Sequence, residues 1–371
     1  ALPTLNDKDT VLLADFTNTT GDAVFDGALK QALAVQLEQS PYLSLFPEQQ
    51  ARQTLRLMNR QPDEPLSGET AREVCQRNGI KALLGGAIAP IGSHFVITLE
   101  AVNAATGEVI ARQLAEADSK EQVLRTLGQA ATELRAKLGE SLGSIRKFDK
   151  PLEQVTTSSL DALKAYSQGT EQKLSGEELA AVPFFNRAVE LDPNFARSYA
   201  DLATAYFNQN SYEQAAQFSE TAYSLRDRVS ERERFYLAQQ YFYFVVGDFE
   251  KRMEVLELWR RTYPRDFPPL SLLAGGYDDA GQFDKSLEET RASLELNPKN
   301  VVALNNQAHM LVNLNRFDEA LKVLQSLIEQ KADGFSTHAT LRVIAFLHSD
   351  TAEAQRQADW AKGKPVEPYM L

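Results

Sequence analysis

Small residues recur along the second half of this chain with a period of about 34. They stand at Ala181, Ala215, Ser286, Ala320 and Ala354, with Arg252 in the corresponding place after Ala215, so the steps are about 34, 37, 34, 34 and 34. A second set lies two helical turns later, at Ala188, Ala222, Ser293 and Ala361, with Trp259 and Leu327 as departures. Proline follows in Leu191-Asp192-Pro193-Asn194, Thr262-Tyr263-Pro264-Arg265 and Leu296-Asn297-Pro298-Lys299. Large residues fill the intervals: Tyr199, Leu202 and Tyr206, then Tyr277 and Phe283, then Leu304, Leu311 and Phe317. Turn signals sit at Gly176, Gly247-Asp248-Phe249, Gly281-Gln282-Phe283 and Asn315-Arg316-Phe317. Small residues let two helices cross closely, and proline ends the second. Such a pair cannot hide its apolar surface alone, so pairs must stack.

This pattern resembles the tetratricopeptide repeat (TPR) and predicts about six helix pairs between Leu160 and the end. The third pair, about Ser230–Pro264, is divergent, and its three-residue excess lies near Arg226–Arg232. The last pair, Phe335–Ala361, has the weak first helix of a capping unit. The resemblance implies that the first helix of each repeat lines a concave groove. Its groove positions fall at Arg197, Thr204, Phe207 and Asn208, and then at Arg234, Leu237, Tyr241, Phe244 and Val245. Ser271, Asp278 and Asp279 follow, then Asn305, His309 and Asn313. The expected site is a peptide groove with Phe207, Tyr241 and Phe244 as an aromatic floor. Arg197 and Arg234 would supply charge, and Asn305 and Asn313 would bond an extended backbone. The competing reading is that these aromatics pack between repeats.

The part before Lys150 has a different grammar. Thr10–Phe16 is an apolar run of strand length, followed by a polar turn and a helix carrying Phe25, Leu29, Ala32, Leu33 and Leu37. A short strand at Leu43–Phe46 and two more helices lead to Asn78-Gly79, a helix stop. Ala82–Ile88, Phe95–Asn103 and Glu108–Glu116 form a β-meander with turns at Pro90–Ser93 and Ala105-Thr106-Gly107. A helix with Val123, Leu124, Leu127, Ala130, Ala131, Leu134 and Leu138 on one stripe closes this part. The order β-α-β-α-α-β-β-β-α predicts a small mixed sheet with helices on it. The fold class is therefore α/β plus all-α: residues 1–147 as the α/β domain, 148–159 as a polar linker, and 160–371 as the solenoid. Ser158 or Ser159 is placed to cap the first helix of the repeats.

Val11-Leu12-Leu13-Ala14-Asp15-Phe16 with Asn18 and Gly21-Asp22, then Ala71, Gly79–Gly86 and Asn103-Ala104-Ala105-Thr106-Gly107-Glu108-Val109, resembles the amino-terminal domain of TolB and its relatives. Arg226-Asp227-Arg228-Val229-Ser230-Glu231-Arg232-Glu233 with Phe235-Tyr236, and Leu258-Trp259 with Tyr263-Pro264-Arg265-Asp266, extend the likeness. Together these are similar to the carboxy-terminal region of acidobacterial membrane-bound serine/threonine protein kinases. That resemblance implies the extracytoplasmic sensor part of a larger protein, with a cytoplasmic location as the alternative. It also implies contact with the membrane only through a segment outside this chain. A stand-alone periplasmic assembly or scaffold protein is the alternative function.

Chemistry is sparse. There is no phosphate-binding glycine loop, and Phe25-Asp26-Gly27 reverses the kinase triplet. Gly139-Glu140-Ser141-Leu142-Gly143 matches the hydrolase pattern G-x-S-x-G, but follows a helix instead of ending a strand. No two of His94, His309, His338 and His348 have metal-ligand spacing. Asp15, Asn18 and Asp22 surround the loop after the first strand, where turn chemistry and a helix cap compete with a ligand site. Cys75, the single cysteine, shares an apolar helix face with Ala71 and Val74 and reads as a core residue. The net charge of −12 divides into about −3 before residue 150 and about −9 after it. Neither part has the basic field that nucleic acid requires. The longest apolar stretch, Ala82–Gly92, is too short to span a membrane, and the first eight residues lack the apolar core of a signal peptide. The expectation is a non-catalytic module with no cofactor and no metal, whose partner is a protein or peptide; a homodimer is compatible with it.

Overall fold

The computed structural model describes residues 5, 9–175, 177–364 and 366–370. Most of the first eight residues, which lack a signal-peptide core, and Gly176, expected at the first turn, lie outside these. The chain forms two compact units, Ala1–Val255 with Thr262–Pro264, and Leu256–Arg261 with Arg265–Leu371.

The first unit opens with β1 (Thr10–Leu13) and β2 (Thr17–Asn18), then α1 (Ala28–Glu38), β3 (Ser44–Leu45), α2 (Glu48–Leu57) and α3 (Gly68–Arg77). β4 (Ala82–Ile91), β5 (His94–Asn103), β6 (Val109–Ala117) and α4 (Val123–Lys137) complete the expected order, with β2 as an addition. The sheet runs β3-β1-β4-β5-β6, with β2 also on β4. β1 is parallel to β3 and β4, pairing Leu12 with Leu83, while β4, β5 and β6 are antiparallel. Val11 and Leu13 face α1 and α4, and Leu12 and Ala14 face α2 and α3. Burial on both faces explains why β1 is a continuous apolar run.

Pro90, expected in the hairpin turn, lies inside β4 opposite Phe95, and the turn shrinks to Gly92-Ser93 between the paired Ile91 and His94. Among the described residues, no strand pairs with the other edge of β4 beyond Ile88, so the missing N–H of proline breaks no ladder.

After α4 come α5 (Leu142–Phe148) and α6 (Leu152–Val155). Residues 148–159 are held along their length. Asp149 Oδ1 accepts from Arg135 Nη1 at 2.6 Å and from Gln36 Nε2 at 2.8 Å. Lys150 N donates to Gln39 Oε1 at 2.9 Å, and Leu152 and Val155 are fully buried.

Among the described residues twelve further helices follow, in consecutive couples. They are α7 (Leu160–Leu174) and α8 (Glu178–Leu191), α9 (Ala196–Asn208) and α10 (Tyr212–Ser224), and α11 (Glu231–Tyr241) and α12 (Phe249–Thr262). Then come α13 (Phe267–Asp279) and α14 (Phe283–Leu296), α15 (Val301–Asn313) and α16 (Phe317–Glu329), and α17 (Phe335–Leu347) and α18 (Thr351–Trp360). Ser159 caps α7 through Ala162 N, as expected. Asn210, Gly247, Gly281 and Asn315 all adopt positive φ between the helices of a pair, the left-handed residue that stops the first helix. The three-residue insertion becomes a 3-10 turn, Arg226–Arg228.

The small crossing residues Ala181, Ala215, Ser286 and Ala320 are buried, whereas Ala354 in the last pair is only half-buried. In the divergent third pair Arg252 is buried with its guanidinium 3.9 Å from the Tyr243 ring centroid. There α11 runs on into a π-helical turn, Phe242–Val246.

The packing constraint can be tested at two glycines. A Cβ on Gly169 would lie 2.6 Å from the ring of the buried Phe185, whereas one on Gly275 would meet nothing within 4 Å. Gly169→Val is expected to cost about 1–3 kcal/mol. Gly275→Ala is expected to stabilise its helix by up to about 1 kcal/mol. Urea denaturation of each variant measures both.

Candidate functional site

The first helices of the pairs carry the predicted groove residues, Arg197 to Val245 in the first unit and Ser271 to Asn313 in the second. In the first unit this face is closed by its own side chains. Asp201, one turn after Arg197 on α9, is buried and receives three donors: Tyr166 Oη at 2.7 Å, Lys173 Nζ at 2.9 Å and Arg197 Nε at 3.1 Å. Burial alone would raise the Asp201 carboxyl, but Lys173 and Arg197 outweigh it and hold the group far below the usual carboxylate range. The Arg197 guanidinium also lies 4.3 Å from the Tyr236 ring centroid on α11. Its charge is thus balanced internally.

Glu233, in the first turn of α11, sits against the same cluster. Its backbone N–H is capped by Ser230 Oγ at 3.2 Å. Its carboxyl keeps some exposure but is crowded by protein, and this burial pushes it up to about 7. Asp201 and Glu38 add to the rise, and Arg197 and Arg232 oppose it. Arg232 in turn bonds Glu38 of α1 at 2.8 Å. Lys173 and Asp201 were not singled out from the sequence, and Glu233 only as part of the segment 226–236 and not as a site residue; the i, i+4 pair Arg197–Asp201 was the one available signal for this cluster.

The aromatic floor is only partly assembled. Phe207 stacks on Phe244 at 4.5 Å and meets Tyr243 at 5.3 Å and Tyr212 at 5.4 Å. Tyr241 instead stacks on Tyr223 of α10 at 4.2 Å. The π-helical turn that begins after Tyr241 spends an extra residue on one turn, which rotates the following residues out of α-helical register. Thr204 Oγ1 accepts from Gln240 Nε2 at 2.7 Å, and Asn208 Nδ2 donates to the Glu178 carboxylate at 2.9 Å. Leu237 is buried, Val245 is half-buried and Arg234 is exposed.

In the second unit, Asn305 Nδ2 donates to Val301 O and its Oδ1 accepts from Thr337 Oγ1 of α17, both at 2.9 Å. Its carbonyl oxygen thus ties α15 to α17, while its amide bonds within α15. His309 is exposed, Asn313, Ser271 and Asp278 are half-buried, and Asp279 is exposed.

The remaining candidates have structural partners. Asp15 binds Lys30 Nζ and Leu66 N, Asn18 bonds within its turn and to Asp26, and Asp22 caps Val24 N and binds Lys120. Ser141 caps α5 through Ser144 N. Burial pushes the Cys75 thiol up to about 12, so it stays protonated near neutrality. His94 lies 3.0 Å from Glu116, and His338 lies between Gln357 and Asp333 against Trp360. His348 contacts Ile344 O. Among the described residues no group of three or more His, Cys, Asp or Glu is placed to hold a metal ion, and no helix is long and apolar enough to cross a membrane.

A family model for the tetratricopeptide repeat matches residues 184–217 and 290–322, which centre on α9 and α15. No curated protein sequence matches the chain. Among solved structures it is similar to the APC/C hetero-tetramer Cut9–Hcn1, at 15% identity and a TM-score of 0.44, covering 57% of this chain but only 42% of that one. It is similar to a thermophilic TPR protein of Thermus thermophilus, at 19% identity and a TM-score of 0.42, covering 48% and 95%. It is also similar to PilF of Pseudomonas aeruginosa, at 16% identity and a TM-score of 0.40, covering 56% and 96%. The chain carries tetratricopeptide repeats, which are protein- or peptide-interaction elements.

Glu233 gives the site a pH signature. Its folded pKa of about 7 exceeds the usual 4.5, so the folded state binds more protons than the unfolded one between these values. Its contribution to stability is present below that window and lost as pH rises through it. Glu233→Gln is expected to behave like the parent near pH 5 but to be more stable near pH 8, by roughly 1–3 kcal/mol. Urea midpoints at the two pH values decide; equal midpoints at pH 8 would refute the assignment.

Proposed function

We propose that the chain is a non-catalytic sensor or interaction module that holds an extended peptide or protein segment along the first helices of its repeats. The carrying observation is the face of α15, where His309 is exposed and Asn313 half-buried beside an Asn305 already fixed to α17. A rigid helix with outward polar groups suits backbone recognition. In this reading residues 1–147 are the TolB-like part, 148–159 join it to the repeats, and 160–371 are the repeats. The module serves as the partner-binding part of a membrane-bound serine/threonine protein kinase, on the outer side of the membrane. The paired segments 226–236 and 258–266, found beside a TolB-like pattern, support the kinase reading. A bound partner would act by favouring one orientation or association state of the output domain.

Selection of random dodecamer peptides displayed on phage against the whole chain tests the groove. Selected peptides should lose at least tenfold in affinity on His309→Glu with Asn313→Arg. A selection that yields no binder, or binders indifferent to that pair, removes the assignment.

A further inference from the structure

One repeat beyond Asn305, His309 and Asn313 stand Ala339, Val343 and Leu347 of α17. The two helices pack side by side: Thr337 bonds Asn305, and Leu341 and Ile344 share a core with Met310 and Leu311. That contact uses one face of α17. On another face Val343, Phe346 and Leu347 are 48%, 79% and 55% exposed. Apolar residues at i, i+3 and i+4 are the pattern of a stripe that is normally covered. One repeat before α15, the same positions are Gly275, Asp278 and Asp279 on α13. The corresponding face therefore changes from acidic on α13, through His309, the buried Val312 and Asn313 on α15, to exposed and apolar on α17.

We propose that this face holds an extended peptide whose bulky apolar side chain rests on Val343, Phe346 and Leu347 and whose lysine or arginine meets Asp278 about six residues away. The proposal rests on the peptide-binding reading above and adds the chemistry of the guest. Helices in contact, as α15 and α17 are, lie ~10 Å apart; an equal step from α13 to α15 puts α13 about 20 Å from α17, and an extended chain covers ~3.3 Å per residue. Charge favours such a peptide over a second copy of the chain. A two-fold pairing centred on α15 would set the apolar end of one copy against the acidic end of the other.

Fluorescein-labelled dodecamers of glycine and serine, carrying one phenylalanine and one lysine two to nine residues apart, are titrated against the whole chain by fluorescence anisotropy. Binding should be tightest at a spacing of about six residues and in one of the two orders. It should weaken at least tenfold on Phe346→Ser with Leu347→Ser, a change on exposed side chains that leaves the melting temperature unaltered. Replacing the peptide lysine by glutamate should weaken binding to the parent, and Asp278→Lys should restore it. Absence of binding by every peptide, or binding indifferent to Phe346 and Leu347, overturns the proposal. If phage-selected peptides depend on His309 and Asn313 while the Phe346 and Leu347 variant binds them normally, the groove stands and this inference falls. A concentration-dependent dimer, seen by sedimentation and abolished by the same double substitution, would place a second copy on the face and also overturn it.

Discussion

A stack of helix pairs needs a cover at its first pair, because that pair has no predecessor to bury its leading side. In the first unit the cover is α1 and the turn before it. Phe25, Leu29 and Leu33 belong to the same buried cluster as Leu163, Tyr166, Phe185 and Phe195, so the core of the sheet and that of the first repeats are continuous. A Cβ on Gly27 would stand 2.7 Å from Ser167 Oγ of α7, which shows how closely the two elements approach. Arg52 on α2 extends the contact to Glu171 at 2.5 Å. The α/β layers and the first helix pairs are therefore one compact unit.

A buried ionic group fixes the path between them. Arg135 is fully buried on α4 and bonds both oxygens of the buried Glu140, at 2.8 and 3.0 Å, as well as Asp149. Ser40 and Ser144 bond the same Glu140 carboxylate at 2.7 Å. Removing water from these charges is costly, and a complete set of partners offsets that cost. The satisfied group leaves few alternative positions for residues 149–150. It thereby aims the chain into α6 and α7.

The two units treat the same helix face differently. In the first, Lys173, Arg197 and Asp201 neutralise one another, and Phe207 and Phe244 stack together. In the second, the corresponding positions on α15 and α17 include exposed His309, Val343, Phe346 and Leu347. An exposed apolar stripe gains free energy when a guest removes it from water. A closed ion cluster gains little from a ligand, because binding would break bonds already made.

The helix pairs, their turns and the order of the mixed sheet were legible in the sequence because they depend on local patterns. Ala181 and Ala215 mark close crossings, Gly281 and Asn315 mark left-handed turns, and Val11–Leu13 mark a strand buried on both sides. The candidate site was less legible. Position in a repeat identifies a helix face, but not what stands opposite it. Nothing in the spacing of Arg197 showed that Tyr166 and Lys173, a repeat earlier, would share Asp201 with it. Nor did the polar run after Phe148 show that Asp149 is bonded to a buried arginine. The sequence by itself determined the helices of the repeats and of the α/β layers, though not α5 and α6, and the apolar face of most of them, since both follow from periodicity within a few turns. Only the tertiary structure decided which charges are spent inside and which apolar side chains stay in water, because those depend on neighbours tens or hundreds of residues away.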